Sequence, residues 1–172
     1  MDWIELEEKC FETTYDTIKM LLLENKDETF YAVSLYTDSS AMSVSLSASS
    51  EEKLKSILAD EEEQSIECEN YYRWAVSEWF YDGYNAGAFS KISKMLREDS
   101  SREINFAKFK NKLIQTLSNV LVRIKRELPI ELNSTVCFVS MTDDDESEEI
   151  ENSSAKLIND APLSMAFILR FD

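Results

Sequence analysis

Residues 70–89 read Asn-Tyr-Tyr-Arg-Trp-Ala-Val-Ser-Glu-Trp-Phe-Tyr-Asp-Gly-Tyr-Asn-Ala-Gly-Ala-Phe, and the reading of the fold turns on them. The stretch holds Trp74 and Trp79, four of the seven tyrosines and both glycines. Large aromatic side chains dominate core energetics because each removes roughly 150–250 Å² from water. A chain with a net charge of −16 must collapse around its apolar mass, and this patch is the densest. Its composition predicts a strand over 71–77, at the middle of the core, and then a helix from about Tyr84 to Arg97. On extended chain, residues five apart face opposite sides. A turn after Ser77 would nevertheless bring both indoles inward, so Trp74 is expected buried and Trp79 at least partly so.

Working outward, residues 2–24 carry Ile4, Phe11, Tyr15, Ile18 and Leu22 at helical spacings, with charges between them. Asp2 is the expected N-cap, with Glu5 three residues on. Residues 29–37 are aromatic and β-branched and end in the turn cluster Asp38-Ser39-Ser40, which predicts a strand. Residues 42–48 alternate apolar and serine, placing Met42, Val44 and Leu46 on one face and Ser43, Ser45 and Ser47 on the other. The two segments predict a hairpin whose serine face meets solvent. Ser50 should cap a short helix over 51–59, and Asp60-Glu61-Glu62-Glu63 reads as a solvated linker. After the loop at 99–102, the longest apolar stripe predicts a helix over 105–128, the one basic element, stopped by Pro129. Residues 135–141 form an apolar run and read as a central strand. Residues 143–149 are an acidic loop leading into a short helix through Leu157. The apolar tail from Pro162 to Phe171 is compatible with a helix capped by Asp160 or with a final strand. The expected fold is therefore a single α+β domain over 1–172, with an antiparallel or mixed sheet of about four strands covered by helices.

Composition removes many chemistries. At 172 residues the chain can bury one sizeable core. It contains no histidine, which excludes Ser-His-Asp and Cys-His catalysis, HExxH zinc sites and every imidazole acid–base mechanism. Two glycines cannot build a P-loop or a GxGxxG turn, so nucleotide phosphate has no glycine cradle. The acidity opposes unaided binding to nucleic acid or an anionic membrane and would steer a basic partner, although solubility alone would also explain it. Cys10, Cys68 and Cys137 are far apart and odd in number, as expected of free thiols in a reducing cytoplasm. The acidic N-terminus lacks the basic start and apolar run of a signal peptide, and no stretch approaches the ~18 apolar residues of a membrane span. Neither a metal nor a cofactor is expected.

Three sets of residues remain as site candidates. Tyr36 and Asp38 end a strand beside a turn, where binding groups often sit; the plainer reading is that Asp38 caps the turn through its own side chain. Arg73, Glu78 and Trp79 fall within the aromatic stretch, and the plainer reading of the two charged residues is a structural ion pair or lone surface charges. Asp143, Asp144 and Asp145 could offer oxygens to a hard cation, but the loop lacks the glycine and alternating spacing of a calcium loop, and a solvated loop is the plainer reading.

Two segments carry a resemblance. Glu28-Thr29-Phe30-Tyr31-Ala32 through Leu35-Tyr36-Thr37-Asp38, with Ala41-Met42 after it, resembles a hairpin of the form ETFYAFALYTD…AM. Tyr72-Arg73-Trp74 with Glu78-Trp79 resembles a YRWS..EW stretch. Order and spacing are similar to those of a bacterial family known by a domain-of-unknown-function label, of the 4303 type. The tryptophan motif is the more specific of the two. The family has no established catalytic residues to carry over, and its genomic setting is similar to that of immunity proteins, which protect bacteria from neighbours' toxins. The resemblance implies a non-catalytic protein that binds a partner, with a basic, toxin-like protein as the leading candidate. The rival is a carboxylate-based enzyme acting on a small or cationic substrate. A pocket lined by converging carboxylates would favour the enzyme, and an acidic face with exposed aromatics would favour the binder.

Overall fold

The structure, a computed structural model, describes residues 1–63 and 65–171. Its sheet has three strands in the order β2-β1-β3, with β1 at Phe30–Asp38, β2 at Ser45–Ser50 and β3 at Val136–Thr142. β1 and β2 make the expected antiparallel hairpin, with Leu35 opposite Leu46 and Tyr36 opposite Ser45. β3 runs parallel to β1, with Leu35 beside Val139 and Tyr36 beside Ser140. A parallel neighbour demands a long crossover. Helices α2 (Glu51–Asp60), α3 (Ile66–Trp74), α4 (Ser90–Glu98), α5 (Ser101–Ile104) and α6 (Phe106–Glu127) supply it. Helix α1 (Trp3–Glu24) precedes the sheet, and α7 (Ser147–Ile158) and α8 (Ala161–Ile168) follow it. The single α+β domain stands, with three strands rather than four.

The missing strand is the one expected over 71–77. That segment forms the end of α3 and a 3-10 turn at Val76–Glu78. Tyr and Trp favour strands only when a pleated neighbour receives them. Here Ser65 accepts a hydrogen bond from the Cys68 amide and starts a helix instead, and Glu69 meets Arg73 one turn later at 3.3 Å. The aromatic stretch adds no strand but runs along the outer edge of β2, where the Tyr81 carbonyl accepts from the Ala48 amide and the Tyr84 amide donates to the Leu46 carbonyl. The next helix also begins later than expected: Asn85 takes a left-handed φ of 54°, a 3-10 turn spans Ala86–Phe89, and α4 starts at Ser90. The short α5 occupies part of the expected loop at 99–102. Asp160 caps the tail by accepting from the Leu163 amide, so that tail is the helix α8.

β3 is an edge strand, not a central one. It reads as a continuous apolar run because α7 lies along its free side, so both of its faces and its edge are covered. The α7 side chains satisfy the edge directly. Ser154 Oγ accepts from the Val139 amide at 2.9 Å, and the Asn159 amide side chain exchanges hydrogen bonds with the backbone of Cys137 at 2.9 and 2.7 Å. Such cover removes the exposed edge that invites strand pairing.

The sheet has a core on each face. Val33, Leu35, Leu46, Cys137, Val139 and Met141 pack with Leu6, Cys10, Ile18 and Leu21 of α1 and with Leu113, Leu117, Leu121 and Ile124 of α6. On the other face Ala32, Val136 and Phe138 pack with Leu54, Trp79 and Phe167. The serine face of β2 belongs to this second side and is largely withdrawn from solvent: of the three serines expected there Ser47 is buried and Ser43 and Ser45 are half-buried, and Ser49 is buried beyond them. The segment after Trp79 covers Ser47, whose hydroxyl donates to Asp82 at 2.6 Å and accepts from the Gly83 amide. Serine alternation marks a polar contact as readily as a wet face, because a hydroxyl can be satisfied by either.

Candidate functional site

Helix α3 has the sequence Ile-Glu-Cys-Glu-Asn-Tyr-Tyr-Arg-Trp and buries none of its residues. Most helices are held by an apolar stripe; this one is held by its C-terminal end. The Arg73 guanidinium makes a two-pronged contact with Glu51 at 2.8 and 3.1 Å and lies 4.8 Å from the Tyr31 ring centre. The Arg73 carbonyl accepts from the Tyr31 hydroxyl at 2.9 Å and from the Trp79 indole at 3.0 Å. Trp74 sets its ring edge-on to Phe167 at 5.1 Å and to Tyr31 at 5.8 Å. Trp79 is 3% exposed and packs on Phe138, whereas Trp74 is only half-buried, so the expected order of the two is reversed. The Glu51 hydrogen bonds hold the Arg73 pKa above its ordinary value despite partial burial. Arg73 and Trp79 therefore act as an anchor, and the Tyr-Arg-Trp and Glu-Trp motif fastens α3 to the second core.

What the anchor presents is an acidic aromatic face. Ile66 is 75% exposed, Tyr71 52% and Phe80 59%. Carboxylates stand beside the two phenols of α3. The Tyr72 hydroxyl donates to Glu61 at 2.7 Å, and that bond pushes the phenol up to about 12. The Tyr71 hydroxyl donates to Glu78 at 3.3 Å, and the Glu78 charge holds it above its ordinary value. Both phenols thus stay protonated donors at neutral pH. Glu63 accepts from the Ser65 hydroxyl, and Glu67 stands exposed in the first turn. Phe80 is the exception in charge, with Lys53 Nζ 4.1 Å from its ring centre. Glu78 is the one candidate residue from the sequence that lies in this face as a surface group.

The other candidates sit on separate elements. Asp38 accepts from the Ser40 amide at 2.9 Å, from the Met42 amide and from the Ser43 hydroxyl, which is the turn-capping role. Tyr36 is half-buried between Ser45 and Ser140, and burial, followed by the Asp82 charge, raises its pKa. Asp143 and Asp145 are exposed. Asp144 is instead consumed by Lys110, at 2.7 and 2.8 Å, and Glu146 reaches the same ammonium at 2.8 Å. Lys110 is buried; burial opposes its charge, but the two carboxylates outweigh it and hold its pKa up.

Ile66, Tyr71, Phe80, Glu61 and Glu67 are not marked by the sequence reading, because a helix over 66–74 is hidden by its strand-like aromatics. The signals that reveal it are the Ser65 cap and the four-residue spacing of Glu69 and Arg73. A second feature is equally silent in sequence. Arg170 is buried and donates to Glu151 at 2.8 Å and to Asn152 at 2.6 Å, while the Ser140 hydroxyl donates to Glu151 at 2.7 Å. Burial raises the Glu151 pKa and lowers that of Arg170.

Among the described residues no three Cys, Asp or Glu side chains gather as metal ligands, and no helix is long and apolar enough to cross a membrane. No curated protein and no solved structure matches the chain. A family model does, over residues 12–160, which include both strands of the hairpin, the whole of α3 with its anchor, and α7. The chain belongs to the family described as a domain of unknown function, DUF4303.

Proposed function

We propose that the protein is a non-catalytic binder, acting in the cytoplasm, that holds a basic protein partner of the toxin-like kind against α3. The observation that carries this reading is a helix that buries none of its own residues yet is fixed by a two-pronged arginine clamp and an indole hydrogen bond. A helix this short, with no fully buried residue, drifts or melts unless something retains it. Here retention leaves Ile66 and Tyr71 outward among Glu61, Glu63, Glu67 and Glu78. Aromatic anchors ringed by charge are what protein interfaces use for affinity and for partner choice. The net charge of −16 favours a basic partner over nucleic acid. Free thiols at Cys10, Cys68 and Cys137 agree with a reducing compartment.

The test uses Cys68, which lies half-exposed on α3. A basic partner captured from the native cell should slow alkylation of Cys68 in the complex. Tyr71→Ala should weaken that complex by about 2 kcal/mol, the size of a typical aromatic hot spot. Unchanged Cys68 labelling together with unchanged affinity in the variant would remove α3 from the interface. The rival enzyme reading has one supporting observation, the buried Glu151 with a raised pKa beside Ser140. Glu151 Oε1 already accepts from Ser140 and Oε2 from Arg170, which are the contacts of a structural pair.

A further inference from the structure

A cavity of about 850 Å³ opens between the start of α1, the short α5 and the N-terminal half of α6. Ligand sites usually occupy roughly 300–1,000 Å³. Trp3 and Phe109 line it with ring centres 5.1 Å apart, and Ile104 adds an apolar wall. Lys108 and Lys112 line it too. They stand four apart on one helix, where like charges repel by a few tenths of a kcal/mol. Neither makes an ion pair among the described residues, in a chain with 34 acidic side chains against 18 basic ones. The α6 N-terminus lies at the same place, since Asn105, its cap, is also a lining residue. Its first turn contains no acidic side chain to offset the positive end of the helix dipole. Two lysines and a helix start therefore aim positive potential into an aromatic-walled cavity on a strongly negative protein.

We propose that this cavity binds a small, flat organic anion, an aromatic carboxylate, with the ring against Trp3 and Phe109 and the carboxylate between Lys108 and Lys112. Apolar walls supply burial for the ring, and the paired ammonium groups select the charged end over a neutral one. The site is independent of the α3 face, so neither result bears on the other. The probe is 2-naphthoate, with 2-naphthamide as its neutral counterpart of the same shape, each titrated into the full chain and followed by amide chemical shifts. Binding of 2-naphthoate should perturb Trp3 and Phe109 and exceed that of 2-naphthamide by about tenfold. In K108Q/K112Q the amide should bind as before, and the preference for the carboxylate should vanish. Equal binding of the two probes to the unaltered protein would overturn the proposal, as would shifts confined to other elements, an affinity weaker than millimolar, or a preference that survives the double variant.

Discussion

The two buried thiols and the half-exposed one separate cleanly in reactivity. Burial pushes Cys10 up to about 12 and Cys137 up to about 11, so neither supplies thiolate at neutral pH. Cys68 is also held above its ordinary value, by burial and by the Glu61 and Glu63 charges, but solvent reaches it. A disulfide-exchange reagent should therefore titrate Cys68 alone in the folded protein, slowly, and all three cysteines after unfolding; rapid reaction of a second native thiol would contradict the buried positions. Glu151 makes a prediction of opposite kind, one of stability against pH. Its folded pKa lies above the ordinary 4.5, with burial the main cause. The folded state thus holds this proton more tightly than the unfolded chain does. The stabilisation is fully present below pH 4.5 and is lost as pH rises through the folded value. Glu151→Gln removes that titration, though it also leaves the Arg170 charge poorly partnered. Urea melts of both proteins should show the advantage of the native glutamate shrinking as pH rises from 4.5. An advantage that grows over that range would mean Arg170 attraction, not burial, dominates the pair.

At the scale of elements, the parts legible in sequence are those whose periodicity and caps agree. α1 begins where Asp2 accepts from the Ile4 and Glu5 amides, α2 where Ser50 accepts from Lys53, and α6 where Asn105 accepts from Lys108. The hairpin was legible for the same reason, although its second strand runs over Ser45–Ser50 instead of the expected 42–48, so the alternation matches the pairing only from Ser45 to Ala48. α3 was not, because Tyr71, Tyr72 and Trp74 carry strand propensity while the deciding contacts, Glu51 to Arg73 and Trp79 to the Arg73 carbonyl, join residues distant in chain or buried by the fold. The site inherited that blindness: Arg73, Glu78 and Trp79 could be picked out by type, but which of them anchors and which is presented depends on the helix. The anchor is testable. Arg73→Met should speed amide hydrogen exchange through Ile66–Trp74 with the sheet amides unchanged; equal protection in the variant would show that α3 is held by something other than the clamp. The Lys110 contact fixes the acidic loop in the same way. Lys110→Met leaves Asp144 without its cation, and charged hydrogen bonds of this kind contribute about 2 kcal/mol, so the melting temperature should fall by about 4–8 °C. Asp144, its pKa held below the ordinary 3.8 chiefly by the Lys110 hydrogen bond, gives stability present above that pH and lost as pH falls through its folded value.

Over the whole molecule, the charge is not spread evenly in function even where it is spread in sequence. Lys110 neutralises Asp144 and draws in Glu146, while Asp143, Asp145, Glu148 and Glu149 remain in solvent at the start of α7. Glu61, Glu63, Glu67 and Glu78 surround α3. If a basic partner docks on α3, these two groups have different roles. The α3 carboxylates meet the partner directly, so reversing Glu67 should raise the dissociation rate as well as lower the association rate. The α7 group acts only through its field, so reversing Asp143, Asp145 and Glu148 together should slow association and leave dissociation unchanged. Rim charges characteristically change on-rates in this way, and desolvated ones change off-rates. The field of a strongly charged face raises association by roughly ten- to a thousand-fold at low salt. It must fade as the Debye length shrinks from about 10 Å at 0.1 M salt to about 3 Å at 1 M. Measured against ionic strength, the unaltered protein and the α7 reversal should therefore converge at high salt, while the Glu67 reversal should remain weaker throughout. On-rates insensitive to salt and to the α7 reversal would leave the acidity of that loop a matter of solubility, with recognition confined to α3.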